Sequence, residues 1–122
     1  MNFDNNLPIY VQIGDYLKKQ IISGKLKEGG KLPSVRDTAK ELIVNPNTVQ
    51  RSYQELERES LVFTQRGMGT FVTEDKDIIK NLKKGYGNDI IKKFMEDMKT
   101  LGFNSSDIIE LINDMVKEEK DV

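Results

Sequence analysis

Polar side chains suited to base recognition occur together around residue 50. Asn47, Thr48 and Gln50 follow Asn45-Pro46, a helix-capping residue followed by a proline suited to the first helical position. Asn and Gln carry a donor beside an acceptor and can pair with adenine at two points, which discriminates between bases by about 1–3 kcal/mol. The three side chains therefore predict contacts with base edges in the major groove of DNA.

Residues near this segment are suited to phosphates. Arg51 offers a fork of donors to a phosphate, and an ion pair with Glu55 at i+4 is the alternative use of the same side chain. Ser34 and Arg36 stand at the predicted start of another helix, where free N–H groups and the helix dipole attract anions. Ser34 is also expected to cap that helix, which is compatible with phosphate binding.

A glycine-containing loop supplies a further arginine. Arg66 and Gly67 lie in the string RGMG, between two β-rich runs. Glycine allows the backbone to approach the minor groove, where an arginine gains from the concentrated negative potential. A solvated turn is the alternative for Arg66. Tyr10 and Tyr53 are predicted either to donate to phosphates or to lie in the core.

The composition excludes most catalytic chemistry. The 122 residues include no Cys, His or Trp, which removes thiolate and imidazole metal sites and the usual Cys or Ser-His-Asp nucleophiles. We predict no enzyme activity, no cofactor and no metal. Acidic residues near the C-terminus lack a ligand spacing and are interpreted as a solvated face: Asp107, Glu110, Asp114, Glu118 and Glu119.

These side chains need a helix-turn-helix followed by a hairpin to position them. An apolar residue every fourth position predicts a first helix, which Gly24 ends: Ile9, Ile13, Leu17 and Ile21. A second helix is predicted over 35–43 and a third over 46–59, so close together that they must cross steeply. The β-rich runs that follow predict a wing. The predicted fold class is mostly α with a small β-hairpin, with a winged helix-turn-helix domain over 1–73.

Residues 74–122 are predicted to form a helical dimerisation tail. Gly85-Tyr86-Gly87 is interpreted as a break in its first helix, Gly102 as the end of that helix, and Ser105 as the cap of the next. Two helices alone cannot bury the apolar stripes, so a second copy is the predicted partner and a small-molecule site is the alternative. The predicted interface consists of Ile90, Ile91, Phe94, Met95, Met98, Leu101, Ile108, Ile109, Leu111, Ile112 and Met115.

The net charge of −1 conceals a difference between the two parts. Residues 1–73 carry 10 Lys and Arg against 8 Asp and Glu, whereas residues 74–122 carry 9 against 12. A DNA-binding surface depends on where basic groups lie rather than on their total. No secretory signal and no run of about 18 apolar residues occurs, so we expect a cytoplasmic protein that does not enter a membrane.

Four strings between residues 7 and 72 resemble the GntR family of bacterial regulators: PIYVQIGDYLKKQIISGKL, KLPSVRDTAKEL, NTVQRSYQELE and RGMGTFV. The short tail, with the string MKTLGFNSSDIIELI, is similar to the YtrA-like subfamily. This resemblance implies that Arg36 touches DNA, that the tail dimerises the protein and that the regulated genes often encode ABC transporters. Ser60, where many members have Gly, and Gly85-Tyr86-Gly87 depart from the family pattern.

The combined prediction is a homodimeric, sequence-specific transcriptional regulator. Repression is favoured over activation because no separate activation surface is visible, and the sequence does not establish the sign. Its expected partners are a two-fold symmetric double-stranded DNA operator, a second copy of the chain, and an unknown small-molecule effector at the dimer interface or between tail and DNA-binding module. The alternative is a winged-helix module that binds another protein and does not touch DNA.

Overall fold

The computed structural model describes residues 1–120, and this range contains five helices and one two-stranded sheet. The predicted fold class is confirmed. The chain divides into two compact units, residues 1–83 and the residues from 84 onward. In chain order the elements are α1 (Ile9–Ser23), α2 (Val35–Leu42), α3 (Pro46–Arg58), β1 (Val62–Gln65), β2 (Gly69–Val72), α4 (Lys76–Thr100) and α5 (Ser105–Lys120).

One apolar core holds the first unit together. α3 packs against both α1 and α2, and the hairpin packs behind it. The apolar residues that recur at every fourth position of α1 form its buried face, except that Ile9, the first of them, is exposed. The core consists of Ile13, Leu17, Ile21, Leu32, Ala39, Val49, Tyr53, Leu56, Leu61, Val62 and Val72.

The helix ends of this unit follow from identifiable residues. The Ser34 hydroxyl accepts a hydrogen bond from the Asp37 N–H at 3.0 Å, and the Asn45 side chain accepts from the Asn47 N–H at 2.8 Å. Gly24 ends α1 in the left-handed conformation, with φ of 83°. Ile43 and Ser60 adopt the same region without being glycine, at φ of 57° and 63°. Ser60 therefore takes the backbone that a glycine would adopt at this place.

The wing is an antiparallel hairpin with a third backbone segment beside it. Val62 pairs with Val72, and Gln65 pairs with Gly69. Lys31 forms an isolated bridge with Phe71, and the Leu32 N–H donates to the Thr70 carbonyl at 2.8 Å. The extended residues Lys31 and Leu32 before α2 are thereby joined to the wing, so the wing is held to the helix-turn-helix by hydrogen bonds.

The predicted break at Gly85-Tyr86-Gly87 is wrong, because α4 runs without interruption from Lys76 to Thr100. A glycine inside a helix costs only about 1 kcal/mol relative to alanine, which a long helix can absorb. The first turns of α4 also pack Ile78, Ile79 and Leu82 against the core. This packing explains why the first unit extends to Lys83, beyond the domain boundary predicted at Thr73.

The cap of α5 also differs from its prediction. Asn104, not Ser105, accepts the hydrogen bond from the Asp107 N–H at 2.9 Å, and Asp107 accepts in return from the Asn104 N–H at 3.1 Å. This reciprocal pair is a capping box with Asn and Asp in its two places.

Among residues 1–120, no helix is both long and apolar enough to cross a lipid bilayer.

Candidate nucleic-acid interface

The outward face of α3 presents the polar residues predicted to contact bases. Asn47 and Gln50 are exposed in the first two turns, and Thr48 between them is half-buried. Val49 is fully buried on the opposite face, which fixes the rotation of the helix. The carboxamides of Asn47 and Gln50 therefore face away from the core, where a base edge can reach them.

Arg51 lies against the ring of Tyr10 from α1. Its Cζ atom is 3.8 Å from the ring centre, which is the geometry of a cation–π contact. The alternative pairing with Glu55 is not the contact that forms, because Glu55 binds Arg58 one turn later. Arg51 is exposed, so the structure leaves its guanidinium accessible.

The start of α2 lies beside α3 and carries further basic groups. Ser34 and Arg36 are both exposed there. Arg36 and Lys40 line a shallow cleft of about 280 Å³ together with Pro46 at the start of α3. The basic side chains of α2 and the first residue of α3, the helix that carries Asn47, therefore line one cleft that is open to solvent.

Tyr53 is a correction to the predicted DNA contacts. It is 4 % exposed, and its hydroxyl donates to the Pro33 carbonyl at 2.8 Å while sharing a 2.8 Å hydrogen bond with Thr38. Burial raises the pKa of Tyr53; the Thr38 hydrogen bond lowers that pKa, and Glu41 and Asp37 raise it further. The ring belongs to the core, and its hydroxyl joins the middle of α3 to the residue before Ser34.

The wing presents Arg66 at its tip. Arg66 and Gly67 are exposed, and Gly67 has φ of 77°. The Met68 N–H donates to the Gln65 carbonyl at 2.9 Å, so these residues form a tight turn in which Gly67 takes the third position, where a positive φ is required. Lower in the hairpin, the Phe63 and Phe71 rings stack with centres 5.7 Å apart and stiffen the wing.

The second unit contains a separate apolar surface. Most of the predicted interface residues are exposed, among them Ile90, Leu101 and Met115, at 69 %, 73 % and 68 %. Met95 and Met98 are half-buried. Ile108 corrects the predicted set, because it is only 1 % exposed within a single chain and belongs to the monomer's own packing.

A family model for the bacterial regulatory proteins of the gntR family matches residues 9–72, which is more than half of the chain. The chain belongs to the GntR family. The match spans α1, the helix-turn-helix and the wing, so it includes the residues described above for the nucleic-acid interface but not the apolar surface of the second unit. Homologues of this family are transcriptional regulators that bind DNA and are not enzymes.

Two Bacillus subtilis relatives place this GntR-family chain in the YtrA-like branch. The uncharacterised HTH-type transcriptional regulator YhcF is 41 % identical over 88 % of this chain and 89 % of its own. The HTH-type transcriptional repressor YtrA is 48 % identical over 58 % of this chain and 55 % of its own. The chain thus spans nearly all of YhcF and about half of YtrA.

Solved structures agree with membership of the GntR family. A GntR family transcriptional regulator from Listeria monocytogenes is 40 % identical, has a TM-score of 0.83, and is matched over 92 % of this chain and 98 % of that one. The DNA-binding domain of AraR in complex with operator ORX1 is 27 % identical, with a TM-score of 0.53 over 55 % of this chain and 81 % of that one. The GntR fold of the DNA-binding part is therefore also seen on an operator.

Sequence reasoning missed two cations of this GntR domain. Lys40 follows Arg36 by four residues on α2, and this helical spacing could have shown that the two share a face. Lys31 reaches the wing by non-local pairing, and a Cβ added to Gly69 would lie only 2.7 Å from its Cε. No local pattern in the sequence predicts that contact.

Proposed function

We propose that this GntR-family regulator is a homodimeric repressor that binds a two-fold symmetric operator. The observation that carries the proposal is the set of exposed polar and basic residues that α2, α3 and the wing present from the first unit. In this assignment Asn47, Thr48 and Gln50 contact base edges. The residues that contact phosphates or the minor groove are Ser34, Arg36, Arg51, Arg66 and Gly67.

Hydrogen bonds that fix α2 relative to α3 support this assignment of base contacts and phosphate contacts. The Tyr53 hydroxyl bonds both the chain just before α2 and a side chain within it. A recognition helix reads bases only when phosphate contacts hold its register on the duplex. The buried hydrogen bonds therefore serve the interface indirectly, by holding the start of α2, which carries Arg36, against α3.

Apolar surface on the second unit supports the dimer. Each chain supplies one DNA-binding module, and a two-fold operator requires two. A groove of about 390 Å³ is lined by Glu119 and by six apolar side chains, which are Phe94, Met98, Leu111, Ile112, Met115 and Val116. Exposed apolar residues grouped in this way mark an association surface, and we assign to it the tail of a second copy.

We propose repression by analogy with a relative, since YtrA carries the name of a transcriptional repressor. We further propose that the operator controls a transporter operon and that the protein works in the cytoplasm, where a bacterial regulator meets its DNA. If a small-molecule effector regulates the protein, we propose that it binds at the dimer interface. A shift in melting temperature on addition of a metabolite would identify such a ligand.

Fluorescence anisotropy with DNA from upstream of the protein's own gene tests the proposal. We expect this DNA to be preferred over a scrambled duplex by roughly 10³-fold, with affinity falling steeply as salt rises. DNase I footprinting at saturation should then give two equivalent protected half-sites. An asymmetric footprint would contradict the two-fold operator, and an absence of binding to any duplex at low salt would favour a protein partner.

A further inference from the structure

The contact between Arg51 and Tyr10 gives α1 a role at the interface. Within residues 1–120 the guanidinium of Arg51 makes no hydrogen bond and no ion pair, and its neighbour Glu55 is bound to Arg58. A guanidinium carries its five N–H donors in its own plane, whereas the attraction to a ring uses the ring's electron-rich face. The ring can therefore hold the cation without consuming the donors that a phosphate needs.

A second contact fixes the backbone of Tyr10 relative to α3. Ser52, the residue after Arg51, is fully buried, and its hydroxyl donates to the Tyr10 carbonyl oxygen at 2.7 Å. The hydroxyl also approaches the Thr48 carbonyl at 3.3 Å, one turn earlier in α3. The backbone of α1 at Tyr10 is thereby tied to the turn of α3 from which Arg51 projects.

We infer that Tyr10 is a positioning residue for Arg51 and restrains its guanidinium, before DNA arrives, for contact with a backbone phosphate of the duplex. This inference rests on the proposed function, in which Arg51 contacts phosphate. A free arginine loses rotamer freedom when it binds, and a side chain already restrained loses less. The strength of a cation–π contact at an exposed site corresponds to about a two- to five-fold effect on affinity.

The test is a double-mutant cycle on the full chain with a fluorescein-labelled duplex of arbitrary sequence, followed over a series of salt concentrations. Arg51→Ala should weaken binding and reduce the slope of log affinity against log salt by about one. Tyr10→Leu should weaken binding about two- to five-fold. It should have no further effect when Arg51 is already Ala, and Tyr10→Phe, which keeps the ring face, should match the wild type.

Several outcomes would overturn the inference. A weakening by Tyr10→Leu that persists in the Arg51→Ala background would mean that Tyr10 acts through the fold, and a weakening by Tyr10→Phe would mean that its hydroxyl contacts DNA itself. Normal wild-type binding with no effect of Tyr10→Leu would refute the positioning role alone. A wild type that binds no duplex at low salt would refute the proposed function together with this inference.

A measurement on the unaltered protein covers the case in which Tyr10→Leu does not fold. The Arg51 Nε–H vector of the DNA-free wild type should give an NMR order parameter above about 0.6, the value below which a group counts as flexible. A value below about 0.6, which is typical of a flexible group, would contradict the restraint that Tyr10 is inferred to impose.

Discussion

Single residues show where the fold accepts strain, and the turn between α2 and α3 is the clearest example. Ile43 holds a β-branched side chain at φ of 57° and is 89 % exposed. The left-handed region costs an L-residue about 1–2 kcal/mol, and its exposed side chain contributes little packing in return. This residue was predicted as the last of its helix, and the sequence gives no sign that it turns the chain.

Ile43→Gly should therefore stabilise the protein. The gain from relieved strain is partly offset by the larger entropy that glycine loses on folding, so we expect the free energy of unfolding to rise by about 0.5–1 kcal/mol. Urea denaturation measures the change. Ile43→Val keeps the branched side chain and is the matched control, with no gain expected. A lower stability for Ile43→Gly would show that the exposed side chain contributes packing after all.

Tyr53 should make stability depend on alkaline pH. Burial raises the pKa of its hydroxyl above the ordinary value, so the folded state holds this proton more tightly than the unfolded state. The resulting stabilisation is complete below the unfolded pKa of about 10 and is lost as the pH rises through the folded pKa. Urea denaturation at a series of pH values from about 9 upward should show a steeper loss above about pH 10 for the wild type than for Tyr53→Phe. Equal slopes in the two proteins would contradict this assignment.

At the level of elements, α4 is continuous across two glycines that no contact requires. A Cβ added to Gly85 or Gly87 would meet no atom within 4 Å. Gly85→Ala and Gly87→Ala should each raise the free energy of unfolding by about 0.5–1 kcal/mol, because alanine loses less backbone entropy in a helix. Chemical denaturation followed by circular dichroism measures the gain. Gly24→Ala is the control and should destabilise the protein, since Gly24 has φ of 83°.

How far the sequence predicts these elements depends on whether the deciding interaction is local. The caps at Ser34 and Asn45 act within three residues, and both were predicted from their residue types. The continuity of α4 depends on a balance between a small glycine penalty and tertiary packing of Ile78 and Leu82, which spacing alone does not reveal. The unpredicted approach of Lys31 to Gly69 depends on pairing across the chain.

The residues of the predicted site also differ in whether local interactions decide their positions. The exposed positions of Asn47 and Gln50 follow from helical periodicity once Val49 is taken as core. Tyr53 could not be decided in this way, because an inward tyrosine and a phosphate-binding tyrosine share the same helical spacing. Its partners, the Pro33 carbonyl and Thr38, lie 20 and 15 residues away along the chain. Only the crossing of α2 and α3 brings them to its hydroxyl.

At the level of the whole molecule, recognition and assembly are assigned to different surfaces of the chain. The basic groups proposed to contact DNA all lie in the first unit, and the exposed apolar residues proposed for the dimer lie in the second. A substitution in the apolar surface should therefore weaken dimerisation and leave the basic residues that contact DNA intact. This separation makes the proposed dimer testable without knowledge of the operator.

Met115→Asp should abolish dimerisation. Met115 is 68 % exposed in the single chain and lines the apolar groove, so a second tail would bury the new carboxylate among apolar side chains such as Phe94. A penalty of at least about 3 kcal/mol corresponds to a dissociation constant raised more than about 100-fold. Sedimentation equilibrium measures that constant.

Met68→Asp is the matched control, because this wing methionine is also well exposed, at 61 %, but lies outside the tail. It should leave sedimentation unchanged.

The monomeric Met115→Asp protein should retain weak binding to an arbitrary duplex, because its basic residues are intact. It should lose most of its preference for the operator, because each module now binds one half-site alone. A dimer that survives Met115→Asp with wild-type affinity would place the association surface elsewhere on the chain.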